Sequence, residues 1–202
     1  MIMKKYSGYS LGELMVALAV VSVIIAVGLP NMSVFFKSNR MVANTNALIS
    51  GLNIARSEAI KRNSRVSICK STNADTAAPT CATGTENWSD GWIVFVEGTE
   101  VTNEIGAYSS ATDGPILKIN AGAEGSNVTI TADSTSIDKY ASFTSRGIPK
   151  LSSGASQSGV YRVCDQRGLT NAAGGVVARG VVLASSGRVR VTKDAIKIGA
   201  CP

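Results

Sequence analysis

Residues 1–36 read MIMKKYSGYSLGELMVALAVVSVIIAVGLPNMSVFF, and how the acid at position 13 is understood decides the fold. From Leu14 to Phe36 no residue is charged. As a helix these 23 positions reach about 35 Å, enough for a hydrocarbon core of about 30 Å. Lys4 and Lys5 precede the run and belong on the cytoplasmic side by the positive-inside rule. A secretory signal peptide has the same basic start and apolar centre, and Ala26-Val27-Gly28 offers it a cleavage site. The apolar text nevertheless continues through Phe35 and Phe36 into a helical pattern without a turn-rich break, which favours retention in the membrane. A lone carboxylate at the edge of hydrocarbon is costly and persists where it has a partner. The helix dipole also favours an acid in the first turn.

After Pro30, which is expected to kink or locally open the helix, apolar residues recur at helical spacing: Met41, Leu48, Leu52, Ala55 and Ala59. The opposite side carries Lys37, Arg40, Asn46, Asn53 and Lys61, and Asn63-Ser64 ends the element. Its basic end holds Arg56, Lys61, Arg62 and Arg65, with Glu58 four residues before Arg62 as a local partner. From Arg65 onward the period changes. Short runs beginning at Val66, Gly91, Ile116, Val128, Tyr140, Val160 and Gly180 are strand-like and separated by Gly, Ser, Asn and Asp. The expected fold class is α+β: a long N-terminal helix packed on a C-terminal antiparallel β-sheet domain. The boundaries are a leader over 1–8, a transmembrane helix over 9–36, an amphipathic second half over 37–65 and a β-rich domain over 66–202.

The chain of 202 residues has room for one domain and an appendage. Its formal charge of +6 permits an anionic partner such as DNA or a bacterial surface. The absence of histidine removes the usual general base and excludes a histidine-based hydrolytic triad. Asp90, Glu97 and Asp165 are available carboxylates, but no pair has a motif around it, so no enzyme and no cofactor are expected. Neither a repeat of 20 to 50 residues nor a P-loop is present. Near the C-terminus, Leu183 to Val191 reads as a turn followed by alternation. If extended, it projects Arg188 and Arg190 from one face and Val189 and Val191 from the other. Arg179, Lys193 and Lys197 are near in sequence, and Asp194 is the only acid from Gln166 to Pro202. Such a field suits phosphate oxygens. An edge strand kept soluble by charge reads the same way.

Lys4-Lys5, Gly8, Glu13 at the fifth position after that glycine, and the following apolar run resemble the class III signal of type IV pilins and type II secretion pseudopilins. The resemblance implies that a prepilin peptidase cuts after Gly8 and methylates the new amino terminus, Tyr9. It also implies that Glu13 pairs with the N-terminal ammonium of an adjacent subunit during assembly. Two positions depart from the usual pattern: Tyr9 stands where phenylalanine is common, and Gly12 where a large aliphatic is common. Gly12 weakens the first helical turn by about 1 kcal/mol relative to alanine. Further on, ARSEAIKRNSRVSICKS, WSDGWIVFVEG, VYRVCDQRG and VVLASSGRVRV resemble the GspH/FimT branch of the pilin-like proteins, the FimT/FimU minor pilins. The segment 100–158 resembles nothing further. The resemblance implies the type IV pilin fold, other pilins and minor pilins as partners, and an inner-membrane location before assembly into the pilus. It leaves a type II secretion pseudopilin as the alternative. The string Gly187-Arg188-Val189-Arg190 resembles the GRxR associated with double-stranded DNA binding in FimT-type minor pilins that serve natural transformation; Gly187, Arg188 and Arg190 match it, and Arg179 and Lys193 are additions by position only.

Four cysteines, Cys69, Cys81, Cys164 and Cys201, allow three pairings if all are oxidised. Export past the inner membrane favours disulfides. Cys69 with Cys81 and Cys164 with Cys201 is the preferred set, the second stapling the C-terminus to the sheet. A zinc site is the rival, but no CxxC spacing supports it, so no metal is expected.

Overall fold

The computed structural model describes residues 8–98, 105–122, 127–172 and 174–201, without the side chains of 27–31. Lys4, Lys5 and the side chain of Pro30 lie outside the described residues. Helix α1 (Leu11–Arg62) is a single element of 52 residues. It runs unbroken through Pro30, so the expected opening does not end the helix. The chain divides into two compact units, one up to Asn39 and one from Arg40. In the first, Leu14, Met15, Val16, Leu18, Val23 and Ile24 are all more than half exposed. Among the described residues no helix is long and apolar enough to cross a membrane.

In the second unit the expected face of α1 is the buried one: Met41, Leu48, Leu52, Ala55 and Ala59 are each 0 or 1% exposed. Arg40, Asn46, Asn53 and Lys61 are on the exposed side. The helix stops where Asn63 takes φ 50°. The Asn63 N–H then reaches the Ile60 carbonyl and the Ser64 N–H the Ala59 carbonyl, both at 3.3 Å. That is a Schellman closure with asparagine in the left-handed position. On the last turn the Glu58 carboxylate accepts from Arg62 at 2.6 Å and Lys61 at 3.4 Å. The Arg62 contact holds its carboxyl below the usual carboxylate range.

Among the described residues the strands are β1 (Val66–Lys70), β2 (Trp92–Val96), β3 (Ile116–Asn120), β4 (Val128–Ala132), β5 (Tyr140–Phe143), β6 (Gly159–Asp165), β7 (Arg179–Leu183) and β8 (Val189–Thr192). They form two antiparallel four-stranded sheets rather than one, the first in the order β3-β2-β1-β5 and the second in the order β4-β6-β7-β8. The short helices α2 (Thr135–Asp138) and α3 (Ala195–Ile198) complete the elements of the described residues. One core joins the α1 face to Val66, Ile68, Trp92, Val94, Ala141 and Phe143 of the first sheet. It continues into Ile130, Tyr161, Val163, Val181 and Leu183 of the second. Gly51 permits this approach: an added Cβ there would lie 2.7 Å from the Trp92 ring.

Each sheet is also covered on its far side. Cys69, Ile93 and Phe95 gather Ala74, Cys81 and Tyr108 into a second cluster, and Cys164, Ala178 and Ile198 gather Val176 and Cys201 into a third. The structure pairs Cys69 with Cys81 and Cys164 with Cys201, with Cα atoms 5.6 and 5.9 Å apart. Each bond thus ties a loop over the outer face of its own sheet. Covering both faces makes β1 buried along its whole length, polar residues included. Lys70 meets Asp138 at 3.7 Å and the Gly84 carbonyl at 3.4 Å. Gln157 accepts the Ser142 N–H at 2.8 Å and donates to the Ser136 and Tyr140 carbonyls at 2.6 and 3.0 Å.

Glu97, 8% exposed, accepts from the Ser67 hydroxyl and from the Gly106 N–H. Burial raises its carboxyl above the ordinary range, and the two hydrogen bonds act against that rise. A carboxyl raised by folding stabilises the native state while protonated, and the contribution is lost as pH climbs through the native value. Glu97→Gln removes the titration and keeps both acceptor contacts. Thermal melts from pH 4 to pH 8 should therefore show the variant gaining stability relative to wild type as pH rises. A constant difference would mean that Glu97 does not titrate abnormally.

Candidate functional site

The two candidate sites lie in different units. At the start of α1, Gly8, Tyr9 and Ser10 are exposed and precede the first helical residue. The Ser10 N–H donates to Glu13 Oε2 at 2.9 Å, and the Glu13 N–H donates to Ser10 Oγ at 3.2 Å. This reciprocal pair is a capping box, worth on the order of 1 kcal/mol, which offsets the helical cost of Gly12. Within one chain the Glu13 carboxylate therefore has a local partner. The Ser-x-x-Glu spacing was present in the sequence and is the signal that points to it.

The second site is the β7–β8 hairpin at the edge of the second sheet. Its turn is closed by the Gly187 N–H on the Ala184 carbonyl at 2.8 Å and the Ala184 N–H on the Arg188 carbonyl at 3.0 Å. Gly187 has φ 79°, the left-handed bulge position of such loops. Register sets Val189 opposite Leu183, Arg190 opposite Val182 and Val191 opposite Val181. Val181 and Leu183 face the core, so Arg190 lies on the other side, and Arg188 shares its parity across the turn. Arg188, Arg190 and Lys193 are exposed. Arg179 is different. Alternation gives it the side of Val181 and Leu183, at the end of β7 remote from Gly187, and its Nε is buried with no hydrogen-bond partner. The hairpin brings Arg188 and Arg190 together and leaves Arg179 out.

The other basic and acidic candidates are dispersed. Arg65 donates to the Ser142 hydroxyl at 3.3 Å and the Lys150 carbonyl at 2.9 Å, and Arg56 reaches the Ser186 carbonyl at 3.5 Å. Asp165 is held by Arg167 at 2.5 Å, Asp90 accepts the Asn87 N–H at 2.9 Å, and Glu97 is buried beside Ser67.

A second turn, invisible as a partner from sequence, packs on the first. The Gly147 N–H meets the Thr144 carbonyl at 2.7 Å and the Thr144 N–H the Ile148 carbonyl at 3.0 Å, with φ 70° at Gly147. A Cβ added to Gly187 would collide with the Gly147 carbonyl oxygen.

A helix of this length with an exposed apolar first part, followed by antiparallel sheets folded around its second part, defines a pilin-like architecture. A family model described as "Type II transport protein GspH" matches residues 44–187, more than two thirds of the chain. The chain belongs to the GspH family. Gly8, Tyr9, Glu13, Arg188 and Arg190 lie outside the matched range. Two crystal structures of the type IV minor pilin FimU from Pseudomonas aeruginosa strain PAO1 are similar to it. The P21 form has 19% identity and a TM-score of 0.52, covering 78% of this chain and 92% of that one. The P65 form has 17% identity and a TM-score of 0.48, covering 74% and 90%. The former likeness establishes the fold as that of a type IV pilin. No curated protein matches the chain.

Gly187→Ala should destabilise the domain by more than Gly154→Ala. Both glycines close the same type of turn, at φ 79° and 82°, but nothing lies within 4 Å of a Cβ at Gly154. The left-handed conformation alone costs about 1–2 kcal/mol. Chemical denaturation should place Gly154→Ala near that figure and Gly187→Ala at least about 1 kcal/mol beyond it, the excess reporting the Gly147 contact.

Proposed function

We propose that this chain is a minor pilin of a type IV pilus, acting in filament initiation or at the tip. The observation that carries the reading is the apolar surface of the first part of α1, exposed among the described residues. Lipid covers such a surface before assembly, and the helices of neighbouring subunits cover it in a filament. In this account a prepilin peptidase cuts after Gly8 and methylates Tyr9. Residues 9–36 then hold the protein in the inner membrane until it joins other pilins and minor pilins in a fibre that crosses the periplasm to the cell surface. Glu13 exchanges the Ser10 N–H for the ammonium of an adjacent subunit. The exchange is feasible because the capping bond is exposed and worth only on the order of 1 kcal/mol.

A type II secretion pseudopilin is the second reading. The GspH family's name, type II transport protein, favours it, and gene neighbourhood separates the two. Membership of either class gives the protein a scaffolding role and no catalytic one.

The exposed Arg188 and Arg190, with Lys193 beyond them, support double-stranded DNA as a further partner, taken up during natural transformation. Contacts of this kind go to phosphates and carry no sequence preference.

Mass spectrometry of protein recovered from the native envelope should find a mature terminus at a methylated Tyr9. A terminus at Leu29 would mean that the apolar run is an ordinary signal peptide and would refute the reading. The full chain in nonionic detergent should bind duplex DNA of any sequence. Arg188→Ala with Arg190→Ala should weaken that binding and reduce the slope of log affinity against log salt by about 0.9 per lost phosphate contact. Binding unaltered in the double variant would remove DNA from the proposal.

A further inference from the structure

The turn beneath Gly187 carries its own arginine, and its position is a consequence of packing rather than of sequence order. Gly147 and Gly187 belong to turns that leave different sheets: the first follows β5, the edge strand of the first sheet, and the second precedes β8, the edge strand of the second. The two backbones approach so closely here that a Cβ added to Gly187 would collide with the Gly147 carbonyl oxygen, while one added to Gly147 would meet Ile60 and Arg56 of α1. Arg146 stands one residue before that contact and Arg188 one residue after it, each a single Cα–Cα step of about 3.8 Å away. Both are exposed.

Arg56 of α1 fills the floor of the junction. Its Nε lies 3.2 Å from the position of an added Cβ on either glycine, and its guanidinium reaches the Ser186 carbonyl at 3.5 Å. That Nε is buried without a hydrogen-bond partner, so the charge beneath the turns is not neutralised through it. No acidic residue occurs from Lys139 to Cys164 or from Gln166 to Lys193. Every charged side chain that the two turns and their flanking strands contribute is therefore positive, and the remaining acid of the neighbouring helix end, Glu58, is engaged by Arg62 and Lys61.

We infer that the DNA-contacting surface is composite, with Arg146 of the β5 turn as a third phosphate ligand beside Arg188 and Arg190, and Arg56 as the residue that positions the paired turns. This rests on the DNA reading of the β7–β8 hairpin given above. Its physical content is that a duplex backbone lying along the hairpin also crosses the seam where the edge turns of the two sheets meet. Guanidinium groups from both turns then displace counterions together.

The test measures fluorescence anisotropy of a mixed-sequence duplex with the full chain in nonionic detergent, titrated across salt. Arg146→Ala should weaken binding roughly 5–10-fold at about 0.1 M salt and lower the salt slope by about 0.9, as loss of one phosphate contact does. The melting temperature should stay at the wild-type value, since the Arg146 side chain is exposed. Wild-type affinity and slope in Arg146→Ala, alongside clear loss in Arg188→Ala with Arg190→Ala, would overturn the composite surface and leave the hairpin reading intact. Failure of the wild-type chain to bind the duplex at low salt would overturn both.

Discussion

The second half of α1 is the surface on which the rest of the chain is organised. The core gathers residues of both sheets with Met41, Leu48, Leu52, Ala55 and Ala59 of the helix. Five apolar side chains on one face of a helix set where two sheets must converge, and small residues decide how near they come. Ala55, Ala59 and Gly51 allow β-strand side chains such as Trp92 to rest close to the helix backbone. Burying large apolar groups at about 25 cal/mol per Å² is the main term holding the arrangement. It also explains why the helix needs no strong intrinsic preference of its own over this stretch.

A sheet packed on one face by a helix leaves its other face in water unless something covers it. Here disulfide-tied segments do so: Cys69–Cys81 holds a loop across the first sheet and Cys164–Cys201 holds the C-terminal segment across the second. The result is strands buried on both sides, and with them buried polar groups. Lys70, Glu97 and Gln157 each meet named partners, as groups removed from water must. Disulfides persist in oxidising compartments, in keeping with the envelope location that the pilin-like family implies.

Function in this architecture is divided between surfaces that the core does not use. In the proposed role the exposed apolar side chains of α1 before Asn39 meet lipid or other helices, and the basic edge of the second sheet meets an anion. The capping box at Ser10 and Glu13 gives the acid that we propose for assembly a local partner within one chain. A weak local bond is enough to order the helix start, and in the proposed role it is exchanged on assembly.

Much of this was legible in the residues. The α1 face, its end at Asn63, seven strand positions and the alternation of the eighth all follow from periodicity and turn chemistry, because these depend on neighbours within a few residues. The Ser10–Glu13 pair was equally local. What periodicity does not contain is the assortment of strands into two sheets, the return of β5 to pair with β1, or the covering of both faces of β1 that leaves Ser67 and Lys70 buried. Nor does it separate Arg179 from Arg188 and Arg190, or bring Gly147 against Gly187. The sequence by itself determined the elements, the class of protein and the residues with charge to offer. Only the tertiary structure decided which of those charges share a surface, because distance along the chain is erased when segments more than thirty residues apart pack against the same helix.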